Sequence, residues 1–158
     1  MTRLPHKLEL YQHAVQHPAA EVGFLLRAYH HYHRAFPTKL KEDFAGGAAV
    51  ASAFVALNEN HRALAVDAHA QTVRWARQRA KRELGERAID LHLICADVLA
   101  VATPKVDVIA AMNFSTFIYH DRASLCRYFQ HARRSLTAKG MLVIDAFGGP
   151  GAMIVGVQ

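Results

Sequence analysis

The chain has 158 residues, 52% of them hydrophobic and 20% charged, enough for one buried core and too few for two ordinary domains. Its two cysteines, Cys95 and Cys126, form no CxxC pair, which argues against a disulfide framework or a zinc ribbon and fits a reducing cytoplasm. MTRLPHKLELYQ lacks the apolar core of a signal peptide, and Asp67, Asp107 and Asp145 interrupt the longest apolar runs well short of a membrane span.

Between Leu8 and Phe36 the apolar positions Val22, Leu25, Leu26, Tyr29 and Phe36 recur at helical spacing. Pro18 is expected to divide a shorter helix from a longer one, and Pro37 to end the second. Residues 1–37 are therefore assigned to an N-terminal helical segment and residues 38–158 to an α/β domain, one globular unit overall. The domain opens with KLKEDFAGG, a short strand entering a glycine pair, then AAVASAFVAL, a small-residue helix suited to close packing. RALAVDAH reads as a buried strand ending at Asp67, and Ala70 to Leu84 as a helix with Val73, Ala76, Ala80 and Leu84 on one face. DLHLICADV and VDVIAAMNF give the third and fourth strands. Asp121 caps a helix whose Leu125, Tyr128, Phe129, Ala132 and Leu136 share a face, closed by Lys139-Gly140. GMLVIDAF is the fifth strand, before the tail GGPGAMIVGVQ. Strands alternating with helices predict right-handed crossovers and a three-layer α/β/α sandwich with a mostly parallel sheet.

Ligands of such sheets bind beyond the carboxyl ends of the strands, where strand order reverses. Acids stand at or near the ends of the first three strands: Glu42 with Asp43, then Asp67, then Asp97. A nucleoside needs this arrangement, since one carboxylate can accept both ribose hydroxyls, a second can accept from an adenine amino group, and a glycine loop admits close backbone approach. The distance from Gly46-Gly47 to Asp67 is about 20 residues, the separation expected of a ribose-binding acid. Each acid has a plainer reading as the cap of the next helix or a local turn, and the glycine pair could merely end a strand. EDFAGGAAVAS has neither the GK[ST] ending of a triphosphate loop nor the GxGxxG spacing of a dinucleotide fingerprint.

Several other features invite chemistry. His13 and His17 lie i,i+4 on one helix face and His30, His31 and His33 cluster near a helix end, but spacing suggests no third ligand, so no metal site is expected. Ser115, in NFSTF, lacks a GxSxG elbow, and Cys95 and Cys126 read as core. RWARQRAKRELGER reads as a solvated helix face with partial i,i+4 pairing rather than a nucleic-acid surface, Trp75 being its only aromatic residue.

Lys41-Glu42-Asp43-Phe44-Ala45-Gly46-Gly47 resembles the R-E-D-F-C-G-T first motif of a subgroup of class I S-adenosylmethionine-dependent methyltransferases. ELYQHAVQ before it, and AVDAH, ADVL, MNFS and LVIDAFGG after it, resemble further stretches of that family in the same order. The resemblance implies a Rossmann-like fold and S-adenosylmethionine as cofactor, which carries no phosphate and needs no phosphate grip. It further implies that Glu42, Ala45 and Gly46 line the methionine end, that Asp67 with Ala68 holds the ribose, and that Asp97 with Val98 holds adenine. Asn113 and Phe114 would floor the site and Tyr11 would close over it. Lys41, Ala45 and Gly47 replace the subgroup's arginine, cysteine and threonine, removing a bidentate donor and a hydroxyl.

The family's chemistry is methyl transfer to a small-molecule acceptor, which alignment can drive without a protein nucleophile. The competing readings are a non-catalytic cofactor-binding or scaffold domain and, from another class, a nicotinamide-dependent enzyme. The family fold ordinarily continues through a further helix and two strands, and GGPGAMIVGVQ does not resemble that continuation. The expectation is a truncated sheet lacking the last two strands, with marginal stability or homo-oligomerisation through its exposed edge.

Overall fold

A computed structural model describes residues 7–149, apart from the side chains of Lys7, Tyr11, Gln12 and His13. The chain opens with α1 (Lys7–Val15) and α2 (Pro18–His33). Pro18 takes the first position of α2, where its missing N–H leaves no bond unmade. His17 caps that helix: its Nδ1 accepts from Ala20 N–H (3.3 Å) while its own N–H donates to Glu21 Oε1 (2.9 Å), a reciprocal cap. The helix ends earlier than the sequence suggested. Arg34 turns left-handed (φ 52) and donates its N–H to His30 O, so Phe36 falls outside the helix, exposed and stacked on His30.

Five strands follow, β1 (Lys39–Asp43), β2 (Arg62–Asp67), β3 (Leu91–Cys95), β4 (Val106–Ala111) and β5 (Leu136–Ile144). All neighbours pair in parallel, in the order β3-β2-β1-β4-β5. The crossovers carry α3 (Ala49–Leu57), α4 (Ala70–Leu84) and α5 (Arg122–Ser135). Alternation along the strands separates two cores. Leu40, Ala63, Ala65, Val108 and Ala110 pack with Val22, Leu25 and Tyr29 of α2, Phe54 of α3 and Ala76 of α4. On the other face, Val66, Ala111 and Ile109 meet Tyr128 and Ala132 of α5. The result is the Rossmann-like α/β/α sandwich, with helices on both faces of a parallel five-stranded sheet.

β5 departs from its expected bounds. It begins directly after α5, because Leu136 is already extended (φ −97, ψ 145). Its register to β4 jumps from Val106↔Leu136 to Val108↔Met141, so Lys139 and Gly140 form a bulge instead of closing a helix. A Cβ on Gly140 would lie 2.7 Å from Leu136 Cβ, which requires glycine there. Cys95 and Cys126 are both exposed, contrary to the core reading: β3 is an edge strand and Cys126 occupies the outer face of α5. Among the described residues no helix is long and apolar enough to cross a membrane.

The central strand β1 is unusual. Lys41, Glu42 and Asp43 are consecutive and all buried, where parallel strands ordinarily carry apolar residues. Lys41 and Asp43 share the α5 face and pair at 2.8 Å, both side chains fully enclosed. Tyr128 Oη donates to Asp43 Oδ2 at 3.1 Å. Glu42 points to the opposite face, where its Oε2 accepts the N–H of Ala51 in α3 (2.8 Å).

Candidate functional site

Strand order reverses between β1 and β4, so their carboxyl ends, together with that of β2, open into one crevice. A cavity of about 220 Å3 lies there. Ala45, Gly46 and Gly47 after β1, Asp67 and His69 after β2, and Asn113 and Ser115 after β4 wall it, with Leu8 and Gln16 from the N-terminal segment.

The loop after β1 is a tight cradle. Phe44 (φ 56), Gly46 (φ 50) and Ala48 (φ 54) are all left-handed, a costly conformation for the two that carry a Cβ. Ala45 N–H is held by Val66 O (2.9 Å) and Ala48 N–H by Ala45 O (2.7 Å). A Cβ on Gly46 would meet no atom within 4 Å; its absence leaves open space against the backbone for a ligand's close approach. α3 then starts at Ala49 with no side-chain cap, presenting small residues to the sheet.

Asp67 ties this loop to β2. Its Oδ2 accepts Gly46 N–H and its Oδ1 accepts His69 N–H, each at 2.8 Å. The local-turn reading of Asp67 is thus realised, but the carboxylate also reaches across to the glycine loop, and each oxygen keeps a second lone pair. Asp97 occupies the turn after β3, exposed, with Oδ1 accepting Leu99 N–H (2.8 Å). Val98 is buried against Val66, Ala111 and Tyr128, and Ala68 is exposed. These three extend the same edge outward from Asp67 without lining the cavity.

Glu42 also stands back from the cavity, behind the loop. Burial pushes its carboxyl up to about 8, opposed by the Ala51 N–H and reinforced by Glu21; the side chain is protonated at neutral pH. Lys41, which replaces the subgroup's arginine, is absorbed by Asp43 and faces no ligand space. Tyr11 lies outside the residues whose side chains are described, as does His13. His17 is engaged as a helix cap, and among the described residues no three metal-binding side chains converge. In the basic run, Arg79 pairs with Glu83 at i,i+4 (3.0 Å) and lies over Trp75, while Arg77 donates to Leu93 O.

The loop after β4 is clamped from β5. Asn113 (φ 59) and Phe114 (φ 56) are consecutive left-handed residues, and Asp145 accepts both their N–H groups at 2.9 and 2.8 Å. Asp145 was not among the expected site residues, although an acid directly after the apolar run GMLVI is the same signal that marked Asp67 and Asp97. Tyr119 was missed as well. It packs with Phe44 and Tyr128, and burial, then Asp97 and Asp43, push its phenol up to about 12; no periodicity marks a residue held by a short 3-10 turn.

No protein-family model and no curated protein sequence matches the chain. Solved structures resemble it closely in fold. An amino pentose methyltransferase from Micromonospora echinaspora, solved with S-adenosylmethionine, superimposes with a TM-score of 0.75 at 12% identity, over 99% of this chain and 63% of that one. A sugar N-methyltransferase from a Streptoalloteichus species gives 0.72 at 22% identity, over 99% and 60%. An S-adenosylmethionine-dependent methyltransferase from Clostridium acetobutylicum gives 0.67 at 18% identity, over 85% and 54%. The fold is therefore the one these methyltransferases share, and this chain spans between half and two thirds of their length.

Proposed function

We propose that the crevice binds S-adenosylmethionine and that the chain is the cofactor-binding part of a methyltransferase acting on a small-molecule acceptor. The observation that carries this reading is the Gly46–Asp67 link at 2.8 Å, which sets a cradle open to backbone approach beside a carboxylate with spare lone pairs, at the reversal of strand order. Ala45, Gly46 and Gly47 would receive the methionine end, Asp67 the ribose hydroxyls, and Asp97 with the Val98 backbone the adenine edge. Asn113 and Phe114 would form the floor. When bound, the cofactor supplies a sulfonium-activated methyl group. The chain's own part is to align: the cradle and the Asp145-clamped loop fix the walls before any ligand arrives, and such positioning can provide much of the rate of a displacement. The methyltransferases of like fold, solved with this cofactor or named for using it, add support.

Isothermal titration of the purified chain with S-adenosylmethionine, S-adenosylhomocysteine and NAD tests the reading. Heat with the first two and none with NAD is the expected result. Heat with NAD alone would replace it with a nicotinamide enzyme. A second reading is cofactor binding without turnover. Cofactor binding with no methylated product across an acceptor panel would select it.

A further inference from the structure

A second cavity, of about 310 Å3, adjoins the first and is lined by Val15, Glu21, Met112, Asn113, Phe114 and Asp145. Asn113 borders both cavities, so the clamped loop after β4 is the wall between them. Resting on the reading that the first cavity holds the methyl donor, we propose that the second receives the methyl acceptor, and that this acceptor is a small amine with an apolar body.

The lining selects for that chemistry. Among the described residues two carboxylates and no basic side chain line this space, in a chain whose net charge is +6. An anionic acceptor would meet repulsion from both. Each oxygen of Asp145 accepts one N–H, from Asn113 or Phe114, and keeps a second lone pair. Glu21 also lines the cavity; its Oε1 takes the His17 N–H, and its Oε2 has no hydrogen-bond partner among the described residues. Two carboxylates at one cavity favour a cation over an anion, and an ammonium or amine N–H is a donor of the right sign for the lone pairs that Asp145 keeps. Val15, Met112 and Phe114 supply apolar surface for the rest of the molecule, and the half-exposed Phe114 ring suits a cation or an apolar ring face. Glu21 and Asp145 together supply the negative charge that draws the amine to the shared wall.

Phenethylamine, 2-phenylethanol and phenylacetate share a ring and differ in charge, which makes them direct probes. In two-dimensional amide NMR of the full chain at pH 7, phenethylamine should shift the Asn113 and Phe114 amides and bind at least tenfold more tightly than the alcohol, with phenylacetate weakest. Glu21→Gln keeps the oxygen that caps α2 but puts an N–H donor where Oε2 was, so the variant should fold and lose the amine preference. Val15→Phe, which fills the cavity without touching a polar group, should weaken all three probes. S-adenosylhomocysteine titration should be unchanged in both variants. Equal binding of amine and alcohol, or an amine preference surviving in Glu21→Gln, overturns the assignment even where S-adenosylhomocysteine binds. An amine preference in a chain that takes no S-adenosylhomocysteine upholds the amine site and overturns its role as the acceptor site.

Discussion

Glu42→Gln isolates a strongly perturbed titratable group of the fold. In the folded chain burial raises the Glu42 carboxyl from the usual 4.5 to about 8, so the native state holds a proton that the unfolded chain has released over that interval. Stability is therefore complete below about pH 4.5 and falls as pH rises toward 8, each pH unit costing about 1.4 kcal/mol. The accumulated loss is on the order of 3 kcal/mol at pH 7 and 5 kcal/mol above pH 8, a large share of a small domain's stability. Glutamine is the neutral isostere and keeps an oxygen to accept the Ala51 N–H. Urea unfolding followed by circular dichroism at pH 5, 7 and 8.5 should show the wild type losing stability stepwise while the variant stays nearly level, crossing to become the more stable protein at the alkaline end. Parallel profiles would refute the reasoning, because they would mean that Glu42 carries no extra proton in the folded state.

Three further outcomes are expected. Asp67→Ala removes both the grip on Gly46 N–H and the proposed ribose acceptor, so affinity for S-adenosylmethionine by calorimetry should fall by about tenfold to a hundredfold, the range of one or two charge-assisted hydrogen bonds; unchanged affinity would remove Asp67 from the site. Tyr128→Phe withdraws the hydroxyl donated to buried Asp43, and chemical denaturation should register a loss of about 1–3 kcal/mol. Among the described residues β5 pairs only with β4 and ends at the exposed Ile144; self-association through this edge should appear in sedimentation velocity and weaken in Ile144→Lys, a charge that discourages edge pairing, and a monomer at every concentration would count against that edge.

The layers of the fold were legible because hydrophobic period and turn residues agreed over most of the chain. α4 follows its predicted bounds, Ala70–Leu84, since Val73, Ala76 and Ala80 alternate with a charged face at helical spacing. Errors fell where a local conformation beat the pattern. Arg34 ended α2 by going left-handed, a choice that nothing in HHYHRAF announces, and the bulge at Lys139 and Gly140 mimicked a helix terminus because Lys-Gly is also what helix ends look like. Within the site, acids after strands were readable one by one. Their geometry was not: sequence cannot tell that Asp67 reaches Gly46 while Asp97 bends back to Leu99. Glu21 was invisible for a different reason. An acid in the first turn of a helix is explained by capping alone, and only the structure shows that capping uses one of its two oxygens.

The three consecutive charges of β1 bear on why the site is where it is. A buried ion pair such as Lys41–Asp43 gives little net stability over an apolar pair of the same volume, and a buried Glu42 that must hold its proton lowers stability at neutral pH. Neither is what a central parallel strand needs for folding, and the rest of the sheet avoids them: Val108, Ile109, Ala110 and Ala111 fill the equivalent depth of β4. The departures are confined to the strand whose end becomes the cradle. Asp43, itself paired with Lys41, anchors Tyr128 beneath Phe44 on one face, while Glu42 anchors the first turn of α3 on the other. Together they brace the strained turn at Phe44, Gly46 and Ala48 from both sides. A bound ligand would then meet a loop whose conformational cost has already been met by folding, which is the form pre-organisation takes in a site built from backbone.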